Sequence, residues 1–326
     1  MKTLGQSSAK IKRNALLGLA IILGTGGSSA AIAESVSATP PAAAVTSEQS
    51  LGVYNQFQKY LKNSAKTPYS LIQARNYLLN NLKRADSWRA TVMVLQLENA
   101  QKARLNAFSE KFFPEKVQKA IDAAYRKGGR ETGLTYSSLL KYITDNSVRS
   151  LLTESYGYGY KLETSEGMYY PVMHYEGFKY FKPYIGKDIA AYIDLMAADS
   201  NKPALSDAAI IIPWNELINR TLALEAFVKA YPTSNRTAAV KEKLRLMETF
   251  VFFGSNNTPA YQYGAQGEPT IIDPELKQAY EKAVLNGAGD SSVLKTIQSV
   301  LGMLDASGDK WNGNIEKFLR DFIQNG

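Results

Sequence analysis

From residue 51 onward, apolar and polar residues alternate at the spacing of amphipathic helices, with few interruptions. The cleanest run is 87–113, which contains no Gly or Pro and carries Trp88, Val92 and Leu95 along one side. As one helix rising about 1.5 Å per residue it spans about 40 Å. Pro114 ends it, and 115–125 resumes the pattern until Gly128 and Gly129 stop it. The same spacing predicts helices over 51–62, 70–84, 137–143, 147–155 and 186–198. Near the C-terminus, Asp273 is a natural N-cap, Pro274 an N1 proline, Glu275 a first-turn acid and Gly287 a stop, with Leu276, Tyr280, Ala283 and Val284 facing inward. Helices over 291–304 and 315–323 follow.

One stretch has a period of two. Residues 156–161 alternate Tyr with Gly, 168–174 are rich in aromatic and β-branched residues, and Ser165-Glu166-Gly167 lie between, which predicts a β-hairpin. Strand alternation places Tyr156, Tyr158 and Tyr160 on one face, to be buried or exposed together. The expected fold class is mostly α: stacked helical hairpins, repeat-like or an irregular bundle, with one inserted β-hairpin near 156–174.

The first residues follow another logic. Lys2, Lys10, Lys12 and Arg13 precede the apolar stretch 15–23, and a small-residue run ends in Ala31-Ile32-Ala33. This is the pattern of a secretory signal peptide over 1–33, cleaved after Ala33. Its apolar core is far short of the roughly 20 residues a membrane-spanning helix needs, so no transmembrane segment is expected after its removal. Residues 34–50, rich in Ala, Ser, Thr and Pro, read as a flexible leader, and 51–326 as a single mostly helical domain. The expected location is extracellular, in solution or associated with the cell wall.

Removing the signal changes the charge argument. The formal +8 falls to a balance of 34 Lys and Arg against 30 Asp and Glu, because four basic residues and no acids precede Glu34. That is ordinary for a chain of this size, so no nucleic-acid partner is expected. With no cysteine anywhere, the fold is not stapled by disulfides and rests on a buried core.

Trp214, and the residues after it up to Leu244, read as a helix, a proline corner and a second helix. Phe227, Tyr231, Pro232 and Ser234 stand as F-x-x-x-Y-P-x-S, followed by Ala238 and Val240. This resembles the helix-to-helix corner of tetratricopeptide-type repeats, without their regular 34-residue period. The segment Glu166-Gly167-Met168-Tyr169-Tyr170-Pro171 is similar to one in uncharacterised secreted proteins of Gram-positive spore-forming bacteria. That resemblance implies export and a bacterial source and carries no activity.

The main compositional anomaly after the signal is aromatic: nine of the chain's 20 tyrosines lie between Tyr156 and Tyr192, with Phe178 and Phe181. A tyrosine offers an apolar ring and a polar hydroxyl, so a surface cluster stacks on sugars or peptide side chains while bonding to their polar groups. The candidate binding residues are Tyr158, Tyr160, Tyr169, Tyr170, Tyr175 and Lys179; Lys161, Lys182 and Lys187 add charge suited to anionic wall polymers. The expected partner is a cell-wall polymer, peptide or protein. The alternative is that the rings fill the seam between hairpin and helices.

Catalytic patterns are sparse. His174 is the only histidine, and there is no cysteine and no G-x-S-x-G elbow, which leaves little for nucleophilic triads and excludes a His-rich zinc site. No phosphate-binding glycine loop occurs, and no cofactor is expected. Glu163, Glu166 and Glu176 bracket the aromatic segment and are the candidate acids of a wall-glycan hydrolase. Asp305, Ser307, Asp309 and Glu316 occupy positions 1, 3, 5 and 12 of a calcium loop, but Lys310 stands where Gly is required. Three readings follow: an exported binding protein, a glycan hydrolase, or a purely structural extracellular protein.

Overall fold

Thr46 sets the start of the first helix: its hydroxyl accepts the Gln49 amide at 3.1 Å, and α1 (Ser47–Asn63) begins inside the stretch expected to be leader. The structure, a computed structural model, describes residues 45–129 and 133–325. The expected signal segment and most of the leader lie outside the described residues.

α1, α2 (Tyr69–Asn81) and α3 (Ser87–Ser109) pack against one another through Val53, Phe57, Leu71, Ala74, Leu78, Met93 and Leu97, all buried. Asp86 caps α3 by accepting the Arg89 amide at 2.9 Å, and the Ser50 hydroxyl donates to the same carboxylate at 2.5 Å, which pins α1 to the start of α3. The expected 87–113 helix is α only to Ser109; a 3-10 turn, Glu110–Phe112, tightens its end before Pro114 and buries Phe112. α4 (Glu115–Ala124) follows. α5 (Tyr136–Leu139) is a single turn capped by Thr135. α6 (Asn146–Tyr158) is capped by Asp145, which accepts the Ser147 amide at 2.9 Å and that of Val148 at 3.2 Å.

The hairpin is present, but shorter at its start than the sequence pattern implies. β1 (Tyr160–Ser165) pairs antiparallel with β2 (Met168–Met173), from Tyr160 opposite Met173 to Ser165 opposite Met168. The two-residue turn between them has φ 51° at Glu166 and 76° at Gly167, the left-handed pair that matches strand twist. Tyr156 and Tyr158 are not strand residues. They form the last turn of α6, which ends at Gly159 with φ 81° and a backbone N–H bonded to the Ser155 and Tyr156 carbonyls. Helical geometry therefore separates the three tyrosines: Tyr158 and Tyr160 are 0 % and 1 % exposed, whereas Tyr156 is 61 % exposed. The expectation that they share one face is wrong because a Tyr-Gly alternation fits a helix end closed by glycine as well as it fits a strand.

The outer strand β2 is covered by α4. The Gln118 side chain donates to the Tyr169 carbonyl and accepts the Tyr169 amide, both at 2.8 Å, so one amide group satisfies the strand as a neighbouring strand would.

After α7 (Tyr175–Phe178) and a 3-10 stretch, Lys179–Tyr184, come α8 (Lys187–Asn201), α9 (Trp214–Ala230) and α10 (Thr237–Phe253). α9 and α10 form the expected helical hairpin. At its corner the Phe227 and Tyr231 rings lie 5.2 Å apart, and the Ser234 hydroxyl donates to Asp188 at 2.6 Å. α11 (Pro274–Val284), α12 (Ser292–Ser307) and α13 (Gly313–Asn325) close the chain, with Asp273 and Ser291 capping as their chemistry predicts.

Among the described residues, three further small hairpins occur at helix junctions: β3 (Leu205–Ser206) with β4 (Ala209–Ile210), β5 (Gly254–Ser255) with β6 (Thr258–Pro259), and β7 (Tyr261–Tyr263) with β8 (Pro269–Ile272). Strands this short carry no period-two signal. The buried residues of all these elements form one continuous core. Among the described residues no helix is long and apolar enough to cross a membrane.

Candidate functional site

The aromatic segment divides between core and cavity. Tyr158 stacks edge-on against Phe108 at 5.1 Å and its hydroxyl donates to Glu154 at 3.0 Å; burial, with the Glu154 charge, pushes its phenol up to about 12. The Tyr169 hydroxyl donates to Asp122 at 3.1 Å, and Tyr175 lies beneath the surface with its hydroxyl on Glu98 at 2.6 Å. Tyr170 is half-buried opposite Glu163. Lys179 pairs with Glu176 at 2.9 Å on the surface. These residues do not converge on one groove.

A cavity of about 670 Å³ does open beside them. Its walls come from α5 and the residues flanking it (Leu134, Tyr136, Leu140), from Thr153 and Tyr156 of α6, from β1 (Tyr160 to Thr164), and from His174 after β2. Each wall is fixed from behind. The hydroxyls of Tyr136 and Ser155 lie 2.6 Å apart and join α5 to α6, while the Tyr160 hydroxyl donates to the Gln101 carbonyl of α3 at 2.7 Å. Both phenols are pushed up by burial. The Tyr156 ring stands exposed at the mouth, edge-on to Tyr136 at 5.9 Å.

The polar groups gather at the β1 and His174 side. Lys161 and Glu163, on the same face of β1, pair at 2.5 Å. Burial, together with the positive charges of Lys161 and Arg75, pulls the His174 pKa below its ordinary value, against the weaker influence of Glu176; the imidazole is therefore neutral at pH 7.

Of the three candidate acids, Glu163 lines the cavity, Glu166 sits in the hairpin turn, and Glu176 lies apart from it. Glu176 is paired with Lys179 and accepts from Asn201 at 2.7 Å; these two partners hold its carboxyl below the usual range, the opposite of what a general acid requires.

The calcium-loop residues run from the last turn of α12 into the first turn of α13. The Lys277 ammonium lies 2.5 Å from Asp309 and 3.6 Å from Asp305, Ser307 donates to the Lys310 carbonyl at 2.7 Å, and Glu316 pairs with Arg320 at 2.8 Å. A lysine thus supplies the positive charge at the two aspartates. Among the described residues, no group of three or more His, Cys, Asp or Glu is placed to hold a metal ion.

Sequence reasoning missed Tyr136, Leu134 and Leu140, which lie before the aromatic segment, and Arg75 on α2, which borders it. Arg75 had a readable signal, since it falls between Leu71 and Leu78 on the apolar stripe of its helix. No protein-family model, no curated protein and no solved structure matches the chain.

Proposed function

We propose that the protein is exported and acts outside the cell as a binding protein, taking an apolar group of its partner into the cavity between α5, α6 and β1. The cavity carries this reading. Its volume of about 670 Å³ falls within the roughly 300–1,000 Å³ of small-molecule sites, and apolar walls with a few polar groups at one side are their usual composition. The walls are held by hydrogen bonds to neighbouring helices, so the space is preformed. Export is supported by the basic, apolar and small-residue succession over 1–33.

Two measurements test the reading. Material recovered from the medium should begin at Glu34; a retained Met1 would contradict export. An environment-sensitive naphthalene dye should bind the folded protein, and Thr153→Trp, at an exposed position on the cavity wall, should abolish that binding. Unchanged dye binding in this variant would remove the cavity as the site.

A further inference from the structure

The two edges of the β1–β2 hairpin are finished differently. In an antiparallel pair, residues whose backbone groups point at the partner strand alternate with residues whose groups point away. Pro171, which has no N–H to offer β1, stands opposite Leu162. Gln118 bonds both backbone groups of Tyr169, opposite Thr164, from outside, and the Ser200 hydroxyl donates to the Met173 carbonyl, opposite Tyr160, at 3.0 Å. Tyr169, Pro171 and Met173 thus turn their backbone outward on β2. Their partners Tyr160, Leu162 and Thr164 do the same on β1.

On β2 the outward groups are met by side chains of α4 and α8. On β1, no group among the described residues bonds the backbone of Leu162 or Thr164 from outside. The cavity runs along this open edge. Tyr160, Lys161, Leu162, Glu163 and Thr164 line it consecutively, although alternate side chains lie on opposite faces of a strand. A space that touches both sets lies beside the strand and not over one face. An unpaired strand edge is a template for another strand, and proteins ordinarily close it.

We propose that β1 receives an extended peptide as a third strand, its backbone paired with Leu162 and Thr164 and an apolar side chain set against Leu134, Tyr136 and Leu140. The proposal rests on the binding reading above and names the partner. An extended main chain offers a donor and an acceptor at every second residue, the repeat that this edge presents. Five strand residues cover about 17 Å, so a segment of roughly five residues matches. Lys161 and Glu163 neutralise each other along the edge, which suits an uncharged segment. The Tyr136 and Tyr160 hydroxyls are engaged behind the walls, leaving ring carbon to meet the apolar side chain.

A phage library of random heptapeptides is panned on the full chain, and a synthetic copy of the selected peptide is titrated by fluorescence anisotropy. The peptide should carry apolar residues at alternate positions and displace the naphthalene dye. Single N-methylation of its amides should weaken binding about tenfold or more at every second position, the loss of one hydrogen bond, and leave the intervening positions unchanged. Thr164→Pro removes an outward N–H without removing a ladder bond, as Pro171 does on β2, and should weaken the peptide by about the same factor. Selection of no peptide, N-methylation effects without a period of two, or unchanged affinity in Thr164→Pro overturns strand addition; dye binding by the unaltered protein then leaves the cavity reading standing, and its absence overturns both. Sedimenting dimers that Thr164→Pro disperses would assign the edge to a second copy and overturn the peptide. Should Thr164→Pro not fold, as judged by thermal melting, the N-methylation series on the unaltered protein decides.

Discussion

Arg236 donates through both Nε, at 3.1 Å, and Nη2, at 2.6 Å, to a single oxygen of Glu98, joining the start of α10 to the middle of α3 across 138 positions of sequence. The other Glu98 oxygen accepts the Tyr175 and Tyr192 hydroxyls, each at 2.6 Å, and lies 2.7 Å from the Lys102 ammonium. This carboxylate is buried and fully bonded. Burial alone would raise its pKa, but the bonds from Lys102, Tyr175 and Tyr192 more than offset that and hold it below the ordinary value.

Glu98→Gln removes the charge and leaves the half-buried Arg236 short of its partner. The expected cost is roughly 3–5 kcal/mol, the range for breaking a buried pair from one side, read by chemical denaturation. Because the folded-state pKa is depressed, the carboxylate's contribution is present above the unfolded value near 4.5 and is lost as pH falls through the folded value. The difference between the two proteins should shrink in acid.

Glu248 behaves oppositely. Burial and then the Glu225 charge push its carboxyl up to about 7, against Arg245. Glu225 stays ionised because Ser291 and Ser292 donate to it at 2.5 and 2.6 Å. A raised folded pKa means that the contribution of Glu248 to stability is greatest below the unfolded value of 4.5 and declines as pH rises to about 7. Glu248→Gln should flatten that decline and stabilise the protein at pH 8 by on the order of 2–3 kcal/mol. Equal pH profiles for the two proteins would contradict this.

Tyr158 and Tyr156, two residues apart, should respond very differently. Tyr158→Ala empties a fully buried ring site and should cost about 3–5 kcal/mol. Tyr156→Ala, at an exposed ring, should stay within about 0.5 kcal/mol. Similar losses at both positions would mean that they share one face after all.

Calcium should leave the melting temperature unchanged, because Lys277 already pairs with Asp309 and Asp305 and Glu316 pairs with Arg320. A calcium-dependent rise in the unaltered protein would contradict the geometry.

The helices were legible because their signals are local. Asp273, Pro274 and Ser291 act where their chemistry places them, and the Glu166-Gly167 turn suits a hairpin. What was not legible depends on partners far along the chain. Gln118 closing the edge of β2 and Glu98 meeting Arg236 have no sequence period. The cavity was half legible: Tyr160, Lys161, Glu163 and His174 fall in the aromatic segment, but Leu134, Tyr136 and Leu140 join them only through folding. Tyr158 and Tyr175 illustrate the limit of composition, because aromatic density marks a seam in the core as readily as a surface.

The buried phenols have a spectroscopic consequence. Tyr136, Tyr160, Tyr175, Tyr261 and Tyr280 are all pushed above the ordinary tyrosine range by burial, while Tyr156 and Tyr180 stand exposed. In an alkaline titration followed by phenolate absorbance, these buried phenols should resist ionisation while the core stays closed. The buried set should then ionise together when the core opens, so the protein carries an intrinsic optical reporter of its own unfolding, distributed through the interior and needing no added label.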